Sequence, residues 1–219
     1  MNLSDELIRK AYGFDSVGII RDQENTLILL GLESGKHRNL DEFISGHEDL
    51  GNWCFSGMRK HFSPMIDELL VDLEKMGASA KALPAYSGKL PVKELAVKAG
   101  IGVQGRNTLV MNEKSSGSLR FIIVETSIKI SPTGTGLYEK NKNNICDQCR
   151  LCEIACPAQV LEEYRLLDEN RCIAHRQLTN RKPDLERCNI CWKACREDIG
   201  WAEAMRRNKD KLLRNFLPE

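Results

Sequence analysis

The chain has 219 residues, 42% of them hydrophobic, which is enough for one ordinary core domain plus a smaller module or for a single large domain. Its 32 Lys and Arg nearly balance 31 Asp and Glu, so bulk charge announces neither a nucleic-acid nor a membrane partner. The start (Met1, Asn2, Leu3, Ser4, Asp5, Glu6) is acidic and no apolar run approaches the ~18 residues that spanning needs, so no membrane and a cytoplasmic location are expected.

Residues 4–12 read as a short helix ending at Gly13, and 16–21 and 26–32 read as strands. Residues 33–62, rich in Gly, His, Asn and acidic side chains, read as loop and short helix. Ser63 as N-cap with Pro64 at the first position predicts a helix with Met65, Ile66, Leu69, Leu70, Leu73 and Met76 on one face, stopped by Gly77. A second helix is expected from Pro91, with Leu95, Ala96 and Ala99 inward and Gly100 at its end. A glycine-rich turn follows. Residues 108–112 and 118–130 then flank Ser115-Ser116-Gly117, the pattern of an antiparallel hairpin with a short loop. Between 131 and 144 the chain becomes polar and rich in Gly, Lys and Asn, which places a linker there. A terminal helix is expected over 201–217, docking Trp201, Ala204, Met205, Leu212, Leu213 and Phe216, with Arg206, Arg207, Lys209, Lys211 and Arg214 as its solvated face.

Eight of nine cysteines crowd into residues 146–195, while Cys54 stands alone among Trp53 and Phe55 and reads as a small buried hydrophobe. Cys146, Cys149, Cys152 and Cys156, followed by Pro157, make the bacterial ferredoxin run C-x2-C-x2-C-x3-C-P. In that run three thiolates wrap one cubane, and the fourth opens a helical turn and ligates the other cluster. The partner set is Cys172, Cys188, Cys191 and Cys195, so eight ligands serve two 4Fe-4S clusters. By the crossing rule one cluster takes Cys146, Cys149, Cys152 and Cys195, and the other Cys156, Cys172, Cys188 and Cys191. Zinc usually takes two separated C-x2-C knuckles, and a disulfide framework suits a short exported chain; both fit this pattern poorly. A purely structural role for the clusters stays open.

The expected fold is therefore α+β. A mixed α/β domain with an antiparallel hairpin spans 1–135, a ferredoxin-like double-cluster module spans 142–200, and a C-terminal helix spans 201–219.

The stretch from Leu95 through Gly100-Ile101-Gly102-Val103-Gln104-Gly105-Arg106-Asn107-Thr108-Leu109 resembles the epoxyqueuosine reductases and, more distantly, the corrinoid reductive dehalogenases. The likeness continues through Gly117-Ser118, the Cys146 motif, Arg171-Cys172-Ile173 and Cys188-Asn189-Ile190-Cys191; Phe14 to Ile19 looks like the family's N-terminal strand. The resemblance implies a cobalamin held base-off by the first domain and the cluster module, with the clusters reducing its cobalt. It assigns the corrin contacts to Gly102, Gly105, Arg106, Asn107, Thr108 and Ala174. The glycines allow close backbone approach, and Asn107 and Thr108 can donate hydrogen bonds. Because the glycine pattern follows a helix and precedes a strand, a dinucleotide site is rejected.

The chain departs from the family where an acidic proton donor sits in an R-D-Y-H stretch: here the residues are Gly57, Met58, Arg59, Lys60 and His61. No catalytic residue is assigned, and His61 reads more simply as structural. The family's C-terminal helical repeats have no counterpart here, so tRNA is not an expected partner. Arg106 stands where the family has lysine, and Arg196 where it has proline. The expectation is an iron-sulfur oxidoreductase with a donor such as a ferredoxin or flavodoxin, the alternative being a non-catalytic electron carrier or a reductive activator of a partner's cofactor.

Overall fold

A computed structural model of the chain describes residues 4–35, 37–42, 55–83, 90–112, 114–115, 117–138, 144–147, 149–172 and 188–196. Cys54, Ala174 and the terminal helix expected over 201–217 lie outside the described residues. The chain divides into two compact units, one drawn from Met1–Gly102 and Ser118–Glu139, the other from Val103–Gly117 and Lys140–Glu219. The segment 103–117, which the sequence pattern places in the first domain, groups with the cysteine-bearing elements.

The first unit opens with helix α1 (Asp5–Tyr12), capped where Ser4 Oγ accepts the Leu7 amide, with acidic residues in its first turn and basic ones in its last. Strands β1 (Ser16–Asp22) and β2 (Asn25–Glu33) form an antiparallel hairpin in which Asp22 faces Asn25. β2 also pairs with β6 (Leu119–Thr126), which in turn pairs with β3 (Ala80–Leu83), giving a four-stranded antiparallel sheet in the order β1-β2-β6-β3. Residues 26–32 of β2 are all buried, as is β6 apart from half-buried Glu125. Two such unbroken apolar strands need neighbours on both edges and cover on both faces.

That need explains one correction. The hairpin expected between 108–112 and 118–130 does not form: residues 110–111 pair with 103–104, and β6 takes β2 and β3 as partners. A short strand beside it in sequence cannot satisfy Phe121, Ile122, Ile123 and Val124, whereas β2 pairs with all four and β3 adds a second partner to Ile123 and Val124.

Helix α2 (Ser56–Lys75) corrects a second expectation, because it begins seven residues before Ser63 and carries Pro64 inside. Pro64 removes one helical hydrogen bond, a cost of about 3 kcal/mol in a helix interior. Met58 and Phe62, both fully buried, lie on the same stripe as Ile66, Leu69 and Leu73 and offset that cost at roughly 1.5–3 kcal/mol each. The Phe62 ring packs 6.4 Å from that of Phe14, tying the helix to the start of the sheet.

Helix α3 (Val92–Lys98) begins after Pro91 and buries Ala96 and, just past its end, Ala99, close to expectation; Leu95 is half-buried. It packs tightly on β1: a Cβ at Gly18 would stand 2.6 Å from Ala99 Cβ and 2.7 Å from Ile101 Cγ1, so no larger residue fits there. Among the described residues no helix is long and apolar enough to cross a membrane.

The second unit is built of shorter pieces. These are β4 (Val103–Gln104) with β5 (Val110–Met111), α4 (Asn144–Asp147), α5 (Leu151–Ala155), β7 (Leu161–Glu162) with β8 (Arg165–Leu166), a 3-10 turn at Glu169–Arg171, and α6 (Ile190–Arg196). Cys156 ends α5 in an extended conformation, and Pro157 and Ala158 form a turn closed by the Gln159 amide on the Cys156 carbonyl, 3.1 Å. The fourth cysteine of the run thus ends α5 and also opens the turn that follows it.

Candidate functional site

The loop between β4 and β5 carries four of the six residues expected to contact a cofactor. Gly105 donates its amide to the Leu109 carbonyl and Thr108 donates to the Gly105 carbonyl, both at 2.8 Å, with Thr108 in the left-handed region at φ 64. A Cβ on Gly105 would lie 2.5 Å from Met111 Cε and 2.9 Å from Asn107 Oδ1. Glycine is therefore required so that the loop's own side chains can fold beneath it.

Asn107, 3% exposed, is held at both ends of its amide. Oδ1 accepts the Leu109 backbone N–H at 3.1 Å, and Nδ2 donates to Cys195 Sγ at 3.3 Å. The first bond fixes which way the amide points, since a backbone N–H needs oxygen opposite it. Arg106, also buried, donates its backbone amide to Cys146 and its Nε to Glu153 Oε1 at 2.7 Å, while the guanidinium lies 5.4 Å from the Tyr164 ring centre.

Glu153 is the hub. It sits between Cys152 and Ile154, nearly fully buried, and accepts from Arg106, from Arg150 Nε at 2.9 Å and from the Glu163 amide at 3.0 Å. Burial opposes its charge, but Arg106, Arg150 and the Glu163 amide together hold the carboxyl below its ordinary value. The same bonds steady a tight turn, because Glu163 and Tyr164 both have positive φ, 44 and 67, without being glycine. Gln104 Nε2 donates to the Tyr164 carbonyl at 2.7 Å, and the Tyr164 hydroxyl donates to Asp147.

The eight cysteines of the module are free thiols, three of them buried and five half-buried. Burial pushes the Cys146 thiol up to about 11, the Arg106 amide working against it and Cys152 and Cys149 adding to it. Cys152 is raised by its hydrogen bond with Cys195 and then by burial; Cys149 is raised by burial. Burial likewise pushes Cys191 up to about 12, reinforced by Cys152, Cys188, Cys156 and Cys172. Cys146 thus neighbours Cys149 and Cys152, Cys152 neighbours Cys195, and Cys191 neighbours Cys188, Cys156 and Cys172 as well as Cys152, so Cys152 lies near members of both sets. Thiols in such surroundings keep their protons at neutral pH unless a cation replaces them, which is the chemistry of metal ligands. Among the described residues no three Cys, His, Asp or Glu side chains converge on a single ion. Eight thiols in one unit are the donor type that an iron-sulfur cluster takes, one thiolate to each iron.

Of the remaining expected residues, Gly102 is half-buried at the end of the first unit. Arg59 and Lys60 are exposed on α2 and His61 is half-buried, its pKa lowered by burial and then by Lys60 and Arg38. The roles of Glu153, Tyr164, Gln104 and Asp147 do not show in the sequence pattern. The one available signal was a carboxylate inside the otherwise apolar Leu151-to-Ala155 stretch of the cysteine run.

No family model matches the chain. It is 32% identical over 115 residues to the epoxyqueuosine reductase of Cyclobacterium marinum, a match covering 47% of this chain and 35% of that protein. It is 30% identical over 142 residues to a tetrachloroethene reductive dehalogenase of Desulfitobacterium hafniense, covering 61% of this chain and 25% of the relative. The matched stretches thus span about a quarter to a third of these relatives. A solved structure of an epoxyqueuosine reductase with an epoxyqueuosine-modified tRNA stem loop superposes with a TM-score of 0.59 at 16% identity, over 87% of this chain and 64% of that one. The chain is similar in sequence to both groups and shares the mixed α/β fold, with antiparallel sheets, of the first.

Proposed function

We propose that the chain holds two 4Fe-4S clusters in a ferredoxin-like module and delivers electrons to a bound cobalamin, as an epoxyqueuosine reductase-like oxidoreductase whose substrate is unassigned. The observation that carries this reading is the complete C-x2-C-x2-C-x3-C-P run with four further cysteines, all eight free thiols in one unit. Support in the fold comes from the nearness of Cys146 to Cys149 and Cys152, of Cys152 to Cys195, and of Cys191 to Cys188, Cys156 and Cys172, with Cys152 near Cys191 as well. Similarity to the epoxyqueuosine reductases and reductive dehalogenases points the same way. When bound, the clusters would supply one-electron transfer at potentials set by hydrogen bonds, charge and exposure.

The chain's own residues prepare that site. Arg106 places a cation beside Cys152, Cys146 and Cys149, and Glu153 and Arg150 fix it there. The Asn107 amide is engaged by Leu109 and Cys195, so in this reading corrin contacts fall chiefly to Gly102, Gly105, Thr108 and Ala174. An electron donor such as a ferredoxin or flavodoxin completes the path, and a reducing cytoplasm suits eight thiols. A tRNA partner is left to the longer relative that was solved with a stem loop.

One observation favours a second reading. The segment Gly57-Met58-Arg59-Lys60-His61 holds no carboxylate, which suits a carrier that passes electrons without protonating a substrate. Anaerobically prepared protein should contain about eight irons and eight sulfides per chain. On adding cobalamin it should develop base-off corrinoid absorption and a paramagnetic signal. Intact clusters with no corrin bound leave the carrier reading; zinc in place of iron removes both.

A further inference from the structure

We infer that Asn107 sets the reduction potential of the cluster assigned to Cys146, Cys149, Cys152 and Cys195, through the hydrogen bond from its Nδ2 to Cys195 Sγ. The inference rests on the two-cluster reading above. Each of these four sulfurs receives an N–H: Cys146 from the Arg106 backbone, Cys149 from that of Leu151, Cys152 from that of Glu153, and Cys195 from Asn107. Three of these donors are backbone amides, which side-chain substitutions other than proline leave in place, and the fourth is a side chain.

Donors facing a cluster's sulfurs stabilise the reduced, more negative state and raise the potential. The effect is strongest where water is excluded, and Asn107 is buried. Its amide cannot turn over, because Oδ1 is committed to the Leu109 N–H. Arg106 stands beside the same sulfurs, but its charge is compensated by Glu153 at 2.7 Å. Asn107 is thus a positioning and tuning residue, supplied to the cysteine module by the β4–β5 loop.

The test is a redox titration, followed by paramagnetic resonance, of full-length protein with anaerobically reconstituted clusters, as wild type, Asn107→Asp and Asn107→Ala. Aspartate keeps an oxygen for the Leu109 amide but turns an acceptor toward Cys195; alanine removes both groups. At the poise that half-reduces this cluster in the wild type, the reduced-to-oxidised ratio should fall roughly three- to tenfold in the variants, ~30–60 mV at 59 mV per decade, and further in Asp than in Ala. The other cluster's midpoint should stay in place. Unchanged potentials in variants carrying full iron, or equal displacement of both clusters, overturns the inference. A second arm needs no variant: wild type labelled with nitrogen-15 asparagine should show a weak nitrogen coupling to this reduced cluster, and its absence overturns the inference even if both variants fail to load. Iron and sulfide near zero in the wild type would instead sink the two-cluster reading itself.

Discussion

In the sheet unit, order comes from apolar side chains in long elements: Ile28, Leu29, Leu30 and Leu32 of β2, Ile122 to Val124 of β6, and the α2 stripe are almost completely buried. In the cysteine unit the described elements run from two to seven residues, and polar side chains hold the chain in place, with Glu153, Arg106, Asn107, Gln104 and Tyr164 bonding to backbone, to one another and to sulfur. The first arrangement can stand on hydrophobic burial. Among its described residues the second buries few large apolar side chains, chiefly Val110, Met111, Val160 and Tyr164, and we expect bound metal to stabilise it.

The strongest way to break the comparison is at sulfur. Cys152→Ser and Cys188→Ser should each lower iron from about eight to about four per chain, and the double substitution should remove nearly all of it. Hydrogen exchange should rise through 144–196 in each case, with the amides of β2 and β6 unaffected. Loss of all iron from either single variant would show the two clusters assembling as one, against the assignment of separate thiol sets. Next in size, Phe62→Ala empties a fully buried site and should cost about 3–5 kcal/mol in the sheet unit, read by denaturant unfolding, with iron content unchanged.

The smallest effect sharpens the contrast through pH. Lys81, 2.6 Å away, holds the Glu125 carboxyl below its ordinary value, against burial and helped by Asn25. A depressed carboxylate stabilises the fold above its unfolded value of about 4.3, and that contribution disappears as pH falls through the folded value. Glu125→Gln should therefore cost less than ~1 kcal/mol at neutral pH and nothing once the pH has fallen below the depressed folded value, as measured by exchange of the β3 and β6 amides. A gap that persists in acid would mean that packing, not charge, holds that pair.

What the sequence made legible was local. The cap at Ser4 and the stop at Gly13, the proline start and glycine end of α3, the two strands of the first hairpin and the spacing of the cysteines all depend on residues a few positions apart. What it hid was decided at a distance. Pro64 looked like a helix start because proline is favoured there, while Met58 and Phe62 extended the same stripe upstream. β6 reads as the second arm of a hairpin, yet its partners lie 86 to 100 positions earlier in β2 and 40 to 46 earlier in β3. Asn107 looked like a ligand contact for a corrin; only the position of Cys195, 88 residues away, shows where its amide points. Glu153 carries no local mark of its role, because a charged residue between cysteines normally faces solvent.

The chain leaves the sheet unit at Val103, contributes 15 residues to the cysteine unit and returns at Ser118 to lay down β6. During synthesis this excursion emerges before any of the eight clustered cysteines, so Val110 and Met111, both buried at the end, have no destination until the last third is made. The sheet is topologically complete once Thr126 appears, while the loop bearing Asn107 stays unsheltered in the meantime. Order of assembly is thereby written into the connectivity: once residues up to about 140 have left the ribosome, the sheet can be finished while the 103–117 segment still waits for the cysteine-bearing third of its unit.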